Sequence, residues 1–389
     1  MDRLESQMKL TKGTLIDWGQ QALLLITVTL LFLYLGTNAS ENIAKLGITT
    51  GFDFLGERAG YDITFSLIDY SQNDTYLQAY YVGVANTLLV SFLSIILATI
   101  LGFVIGVGRV SHNWVVNRLC RSYVEFVRNV PLVVQLVWWY ALFLSLPAIR
   151  NSIQLADNIY LSNRGLAIPH LSLAGWGGYV FLALLVSCCL AFFYRRAMVN
   201  KVQWVGFHPV LWPRLLAIVV SLPLLVMIFT LISGNFDYST PKLTGFNFQG
   251  GMIIIPELVA LWIALSFYSA SYIAEIVRGC IQSISKGQHE AGKALGFNDS
   301  AIMWKLIVPQ AIYPMVPQIT SVYLNIIKNS SLGVVIGFME LVSSTGGTTL
   351  NNTGQAIECI LIVMGTYCVF SLVTSLLMNW YNSHVAVGK

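Results

Sequence analysis

Charge is what this chain has least of. Asp, Glu, Lys and Arg make up 10% of its 389 residues, against 56% hydrophobic residues and a mean hydropathy of +0.69. Soluble domains carry roughly 25% charged residues, so the composition excludes an ordinary soluble protein and implies an integral membrane one. The net charge of +4 is too mild to argue for nucleic acid; it fits a membrane protein whose basic residues gather in loops on one side. Metal and redox signatures are also missing. The six cysteines (Cys120, Cys188, Cys189, Cys280, Cys359, Cys368) form no CxxC and no Cys/His cluster of zinc spacing, and they read as small hydrophobes. The five histidines are scattered. There is no GxxxxGK[ST] loop to bind ATP, and no GxSxG, HExxH or supported carboxylate pair. Such a chain moves something rather than converting it, and it lacks its own energy source.

What is abundant is apolar length. A membrane helix needs ~20 mostly apolar residues, and eight runs qualify, at about 20–37, 79–108, 124–146, 177–194, 210–233, 253–277, 306–326 and 356–380. With the N-terminus placed inside, the inside segments hold 16 Lys and Arg and the outside segments 6, which together account for all 22. That bias predicts both termini on the inner side and an even number of spans. The first run has basic residues upstream, but its leading segment is long and includes Asp2, Glu5 and Asp17, so it reads as a retained anchor rather than a cleaved signal.

The chain divides into an anchor with an outside loop (1–78), a first core part (79–146), an outside loop plus an inserted hairpin (147–251), and a second core part (252–389). Residues 38–78, 147–176 and 234–251 read as outside loops. The fourth and fifth spans lack the internal polar residues seen elsewhere and read as a peripheral insertion.

In the second span Ser94, Ala98, Gly102 and Gly106 recur every four residues. This small face is either a pathway wall or an ordinary helix-packing surface. In "EFVRNVPLVVQLVWWY" Glu125 and Arg128 share a helix face and are placed to pair. Pro131 is expected to kink that helix, and Gln135 is a polar group at depth that should face protein or water. Arg128 reads either as a path residue or as a snorkelling interfacial cation. In the sixth span Tyr272 precedes Glu275, whose natural local partner is Arg278. The seventh span carries Pro309, Pro314 and Pro317, so a straight helix is not expected. Lys328 and Ser331 fall in the outside connection beyond it, where a short amphipathic helix around "GVVIGFMELVSS" is placed to re-enter the membrane as a gate. Arg128, Gln135, Tyr272, Glu275, Lys328 and Ser331 are the candidates for path or gate.

The polar stretch "SISKGQHEAGKALGF", residues 283–297, interrupts all this. Ser285 and Gln288 have capping-box spacing, so a helix is expected to start at Lys286. Gly296 can end it in a left-handed conformation, and Asn298 can cap the next helix. Ala291, Ala294 and Leu295 are expected to face the rest of the protein, with Gly287, Glu290 and Lys293 projecting elsewhere. The segment reads either as a docking element or as a plain connector.

"EAGKALGFNDSAIMWKLIVPQA" resembles the EAA motif of ABC importer permeases. Glu290, Ala291, Gly292, Gly296, Leu306, Val308 and Pro309 stand at the motif positions, with Gly292 where the second Ala is usual and Leu306 and Val308 for the usual Ile and Leu. "GVANTLLVS", "EFVRNVPLVVQL", "SASYIAEIVRGCIQSISKGQHEAGKALG" and "IIKNSSL" are similar to the permeases of polar amino acid importers of the histidine/glutamine type. The extra first span, long loop and hairpin resemble the larger permease of the general L-amino-acid or glutamate/glutamine/aspartate/asparagine systems. The resemblance implies an all-α membrane fold of about eight spans on the five-helix core of type I importers. It implies that about 285–297 is a coupling helix, with Gly287, Gln288, Glu290, Ala291, Gly292, Ala294, Leu295 and Gly296 meeting a cytoplasmic ATPase. It further implies a periplasmic amino acid-binding protein, and a second permease or a second copy of this chain. The chain itself would hold no cofactor, with ATP and Mg on the partner subunit, and would sit multi-pass in the bacterial inner membrane with both termini cytoplasmic. The alternative is an ion-coupled secondary transporter or channel, for which Glu275 is the one serious carboxylate.

Overall fold

In the computed structural model, the described residues are 2–46, 51–172, parts of 183–194, 211–232, 237–245 and 247–385. Helix α1 (Asp2–Leu46) is exposed along its whole apolar stretch, Trp18–Asn38. Helix α2 (Tyr76–Gly108) starts where Thr75 Oγ1 accepts the Gln78 N–H at 3.3 Å. Helix α3 (Trp114–Asn129) starts where Asn113 Oδ1 accepts the N–H groups of Val115 and Val116, and α4 (Leu132–Leu144) follows it. Helix α5 (Leu211–Ile232) lies in the expected hairpin. Helix α6 (Pro256–Ser283), opened by a proline in its first turn where no N–H is needed, is the most buried of the long apolar helices. Then come α7 (Lys286–Ala294), α8 (Asp299–Ile302), a π-turn over Met303–Ile307 and α9 (Val308–Asn329). A 3₁₀ turn (Ser330–Ile336), a π-turn (Val342–Thr349) and α10 (Leu350–Thr353) lead into α11 (Ala356–Val385).

Five of the eight expected spans appear as long apolar helices among the described residues. The fifth expected span is α5, whose apolar stretch is Ala217–Phe229. Most of the fourth lies outside the described residues. The third is corrected. It is not one kinked helix but two, α3 and α4, bent by 103° at Val130–Pro131. Pro131 acts as the residue before α4 rather than as a member of a helix, because an interior proline would cost a hydrogen bond and a clash.

Helix α6 is the axis. Helices α2, α3, α4 and α9 pack on it, and α11 packs on α9 and the 342–349 turn. The small face of α2 is a packing face. A Cβ on Gly102 would stand 2.6 Å from Ile273 Cβ, and one on Gly106 would stand 2.6 Å from Val277 Cβ. Such close backbone approach is how helices associate where lipid offers no hydrophobic contrast.

The outside segments 147–172 and 237–254 are not simple loops, and the all-α expectation needs that addendum. Strands β1 (Ile153–Ala156), β2 (Ile159–Ser162), β3 (Gly165–Ile168) and, later, β8 (Met252–Ile254) form one antiparallel sheet in the order β1-β2-β3-β8. Strand β4 (His170–Ser172) pairs with β5 (Asp237–Ser239), and β6 (Lys242–Thr244) with β7 (Asn247–Gln249). Each strand has three or four residues, too few for period-two alternation to stand out. The β3–β8 and β4–β5 pairings join the chain where it enters the inserted segment to the chain where it leaves.

Residues 51–75, part of the expected outside loop 38–78, form a packed strap. Phe54, Ala59 and Ile63 are buried with Tyr76, Ala79, Val82 and Cys359. Asn86, wholly buried on α2, donates through Nδ2 to Phe65 O and to Met339 O, both at 2.9 Å. Tyr61 reaches Thr349 Oγ1 at 3.1 Å, and Tyr70 donates to Tyr61 O at 2.9 Å. Burial pushes both phenols above their ordinary pKa, so both stay protonated donors at neutral pH.

Candidate functional site

The stretch 283–297 folds into a helix with defined ends. Helix α7 begins at Lys286, but the capping box does not form. Ser285 is extended and makes no side-chain cap bond, and only its carbonyl accepts the Gln288 N–H, at 3.1 Å. The C-terminal end is complete. Gly296 has φ +80°, its N–H donates to Lys293 O at 2.9 Å, and the Phe297 N–H donates to Gly292 O at 3.1 Å. This is the Schellman arrangement that satisfies the last carbonyls. Asn298 Oδ1 then accepts the Ala301 N–H at 2.8 Å and starts α8.

The facing of α7 reverses one expectation. Ala291, Ala294 and Leu295 do not pack on the rest of the chain. All three are exposed, Leu295 at 76%. The inward residue is Gly292, the one buried residue of the helix, and a Cβ there would stand 2.8 Å from Ile302 Cγ1 and 3.1 Å from Leu306 Cδ1. Lacking a side chain, Gly292 lets α7 lie on α8 and the π-turn. Asp299 ties the same two helices, 3.4 Å from His289 Nε2 and 3.5 Å from Lys293 Nζ. Gln288 Oε1 accepts from Gln310 Nε2 at 3.4 Å. Outward stand Lys286, Gly287, Glu290, Ala291, Ala294 and Leu295, four of them small or apolar and two charged, and Gln288 and Lys293 are exposed beside them.

The six path candidates fall at different levels. Glu275 pairs with Arg278 as expected, the Arg278 Nε donating at 3.2 Å, but it also receives Arg109, the residue that ends α2. Arg109 had no place in the sequence reading, because nothing local pairs residues 166 apart. Glu125 does not pair with Arg128. It accepts from Arg121 Nε at 2.7 Å, one turn earlier on α3. The Arg128 guanidinium instead lies 4.9 Å from the centre of the Tyr272 ring, whose hydroxyl is 2.9 Å from that of Tyr268. Gln135 faces protein. Its Nε2 donates to Val127 O and Val130 O, both at 2.9 Å, and so closes the end of α3 at the bend. Lys328, exposed, and Ser331, whose Oγ donates to Lys328 O at 2.7 Å, lie at the far end of α9 from α7. The structure thus joins Arg128 with Tyr272 and places Glu275 three residues further along the same helix. It leaves Lys328 and Ser331 at the opposite end.

A groove of about 340 Å³ opens between α6 and α9, lined by Glu275, Gly279, Ser283, Pro314 and Gln318 among others. At the strap end the cavity beside Thr64, Glu257, Gly337 and Met339 holds only about 50 Å³. The segment beyond α9 is not a single amphipathic helix. Its two turns pack against α2: the Leu341 N–H donates to Thr87 Oγ1 at 3.1 Å, and a Cβ on Gly83 would meet Ser344. Glu340 is wholly buried there, accepting the N–H groups of Val342 and Ser343 at 2.8 Å and the Tyr367 hydroxyl at 3.3 Å. Reading "MELVSS" as an acidic N-cap before a polar turn would have found it.

Among protein families, the one described as "Binding-protein-dependent transport system inner membrane component" matches residues 209–387. The chain is 41% identical over 387 residues to a putative amino-acid ABC transporter permease protein, YhdX, of Escherichia coli, covering 99% of this chain and 98% of that one. It is 43% identical to the general L-amino acid transport system permease protein AapQ of Rhizobium johnstonii, covering 90% and 87%. It is 37% identical to the glutamate/glutamine/aspartate/asparagine transport system permease protein BztB of Rhodobacter capsulatus, covering 94% and 93%. A solved amino acid ABC transporter with histidines aligns over 79% of this chain and 94% of that chain at 21% identity, with a TM-score of 0.46.

Proposed function

The chain belongs to the amino-acid ABC transporter permeases, the inner membrane components of binding-protein-dependent transport systems, and from that premise we propose how its parts work. It is a multi-pass inner-membrane transport subunit. In this reading the α7 end is cytoplasmic, as are both termini, and the strap and sheet are periplasmic. ATP and Mg are held by separate ATPase subunits, one of which seats α7 through Gly287, Gln288, Glu290, Ala291, Ala294 and Leu295. Gly292 and Gly296 act from within, Gly292 by letting α7 rest on α8 and Gly296 by ending the helix. A periplasmic amino acid-binding protein delivers polar L-amino acids to the outer side. The permease works as a pair, with a second related permease or with a copy of itself.

The observation that carries this reading is the exposed outer face of α7, where Gly287, Ala291, Ala294 and Leu295 stand beside Lys286 and Glu290, on a helix whose other face is fixed to its own chain. A connector needs no such face; a groove on a partner does. ATPase closure then has a rigid handle, provided the ATPase holds it differently in its two states. In this reading Lys328 and Ser331 serve near the outer gate, and Arg128, Tyr272 and Glu275 further along the path. The secondary-transport reading would use Glu275 as a coupling carboxylate, but Arg109 and Arg278 already hold it.

Reconstituting the permease pair with its ATPase and binding protein in vesicles tests the reading. ATP added on the ATPase side should drive amino acid uptake with no ion gradient imposed. Uptake that follows a proton or sodium gradient and ignores ATP would favour the alternative.

A further inference from the structure

The strap 51–75 reaches far along the chain to one place, the segment 337–354 and the start of α11. Gly51 donates its N–H to Glu358 Oε1 at 2.9 Å. The Tyr61 hydroxyl meets Thr349 Oγ1 at 3.1 Å. Phe65 is 7% exposed and belongs to the buried cluster that holds Ile255, Leu258, Ile336 and Phe338. One amide grips both sides, since Asn86 of α2 donates to Phe65 O in the strap and to Met339 O in the segment. Thr64 and Phe65 also close the cavity of about 50 Å³, whose other walls are Ile255 and Glu257 at the start of α6, Gly337 and Met339. With the strap moved aside, that cavity would open between α6 and the segment.

What the strap holds is built to come away. The segment is bracketed by two glycines in the left-handed region, Gly337 at φ +79° and Gly354 at φ +71°, and a Cβ on either would meet nothing within 4 Å. Glycine can change its backbone angles there at little steric cost. Between them Val342–Thr349 forms a π-turn, a geometry concentrated at functional sites. The residues buried in that turn are Ser343, Ser344, Thr345 and Thr349. Hydroxyls that leave a protein partner regain water, so parting such a seam costs little net hydrogen-bond energy. An apolar seam of equal area would forfeit the burial itself. The segment's ties to Thr87 of α2 and Tyr367 of α11 are hydrogen bonds too. The closed arrangement is also incomplete. Asn86 is wholly buried, yet its Oδ1 has no hydrogen-bond partner among the described residues. Buried polar atoms are rarely left so, and an acceptor already unpaired lowers the cost of leaving this state.

We propose that the strap is an autoinhibitory latch: through Gly51, Tyr61 and Phe65 it holds the segment 337–354 closed, and the permease opens on this side only when a partner there frees it. This rests on the permease reading above, which makes this side the outer one, and adds the element that keeps it shut at rest. A partner frees the latch only by binding the opened form better than the closed one. ATP hydrolysis by the resting complex is then low, because the latch withholds the form in which the ATPases close.

The test measures ATP hydrolysis by the assembled permease–ATPase complex in vesicles, first without and then with its binding protein. Phe65→Ala empties the strap's place in the apolar cluster. It is expected to hydrolyse ATP at least twofold faster than wild type when the binding protein is absent, a gain that a merely damaged complex would not show. Tyr61→Phe removes one hydroxyl, is expected to act in the same direction, and decides the matter if Phe65→Ala does not assemble. The converse variant, Tyr61→Cys with Thr349→Cys, is bridged by a reducible thiol cross-linker. It should lose more than half of its binding-protein-stimulated hydrolysis and regain it on reduction, while wild type treated alike keeps its own. A basal rate in Phe65→Ala that rises less than twofold, or falls, overturns the proposal. So does a bridged variant that keeps half or more of its stimulated rate. A wild-type complex with no ATP-driven amino acid uptake would instead refute the permease reading itself.

Discussion

Replacing Gly102 by Val should pry α2 from α6. A Cβ at Gly102 would stand 2.6 Å from Ile273 Cβ, 2.7 Å from Ile273 Cγ2 and 2.9 Å from Ala270 O. Carbon atoms are comfortable at about 3.5–4.0 Å, so about 1 Å must be found. The carbonyl is backbone and cannot swing away. Overpacking of this kind costs about 1–3 kcal/mol, and the two further methyl-sized atoms of Val place the expectation near the top of that range. A small gain in helix propensity over Gly, below about 0.5 kcal/mol, does not offset it. Gly365, on α11, provides the contrast, since a Cβ there meets nothing within 4 Å. Gly365→Ala should therefore be neutral or stabilising by up to about 1 kcal/mol. The double variant Gly102→Val with Gly106→Val should cost less than the sum, because separating the helices at one site relieves the other. Equilibrium unfolding in detergent measures these three variants beside wild type and the Gly106→Val single. Gly102→Val within about 0.5 kcal/mol of wild type, the usual range of a substitution that touches nothing, would refute the close α2–α6 contact.

Two further expectations concern the ends of the path. Gly296→Val adds no clash, since a Cβ there meets nothing within 4 Å, but it forces a β-branched residue to φ +80° at a cost of about 1–2 kcal/mol. The end of α7 should shift, with ATP hydrolysis uncoupled from uptake and membrane insertion intact; unchanged transport-linked ATPase activity would count against it. Asn86→Leu leaves Phe65 O and Met339 O without their 2.9 Å donor, at about 1–3 kcal/mol for the buried Phe65 carbonyl and less for the part-buried Met339 one. Hydrogen exchange should then rise together in the strap around residue 65 and in the turn around 339, and a rise in neither would show that Asn86 does not hold them.

Much of this was legible in the sequence because it is local or periodic. Apolar length gave the helices, the four-residue repeat of small residues gave the α2 face, and Gly296 with Asn298 gave the end of α7 and the start of α8. Three contacts went unread for one cause. Arg109 reaching Glu275, Asn86 reaching Phe65 and Met339, and β3 meeting β8 are contacts between residues far apart in the chain, and spacing carries no trace of them. The facing of α7 went wrong for a different reason. Alanine and leucine were assigned inward by the usual rule, but in the fold Ala291, Ala294 and Leu295 face out and the bare Gly292 faces in. Glu125 chose Arg121 over Arg128 within one helix, where spacing allowed either.

The central claim is that the outward face of α7 is what the ATPase grips. Leu295→Asp tests it most directly, because Leu295 is 76% exposed and the permease fold should not notice the change. Burying an unpaired carboxylate at an interface costs about 3–5 kcal/mol, or at least a hundredfold in association. The account predicts that the variant inserts and purifies like wild type but no longer retains the ATPase in size-exclusion chromatography. An ATPase that stays bound to Leu295→Asp as it does to wild type would contradict it.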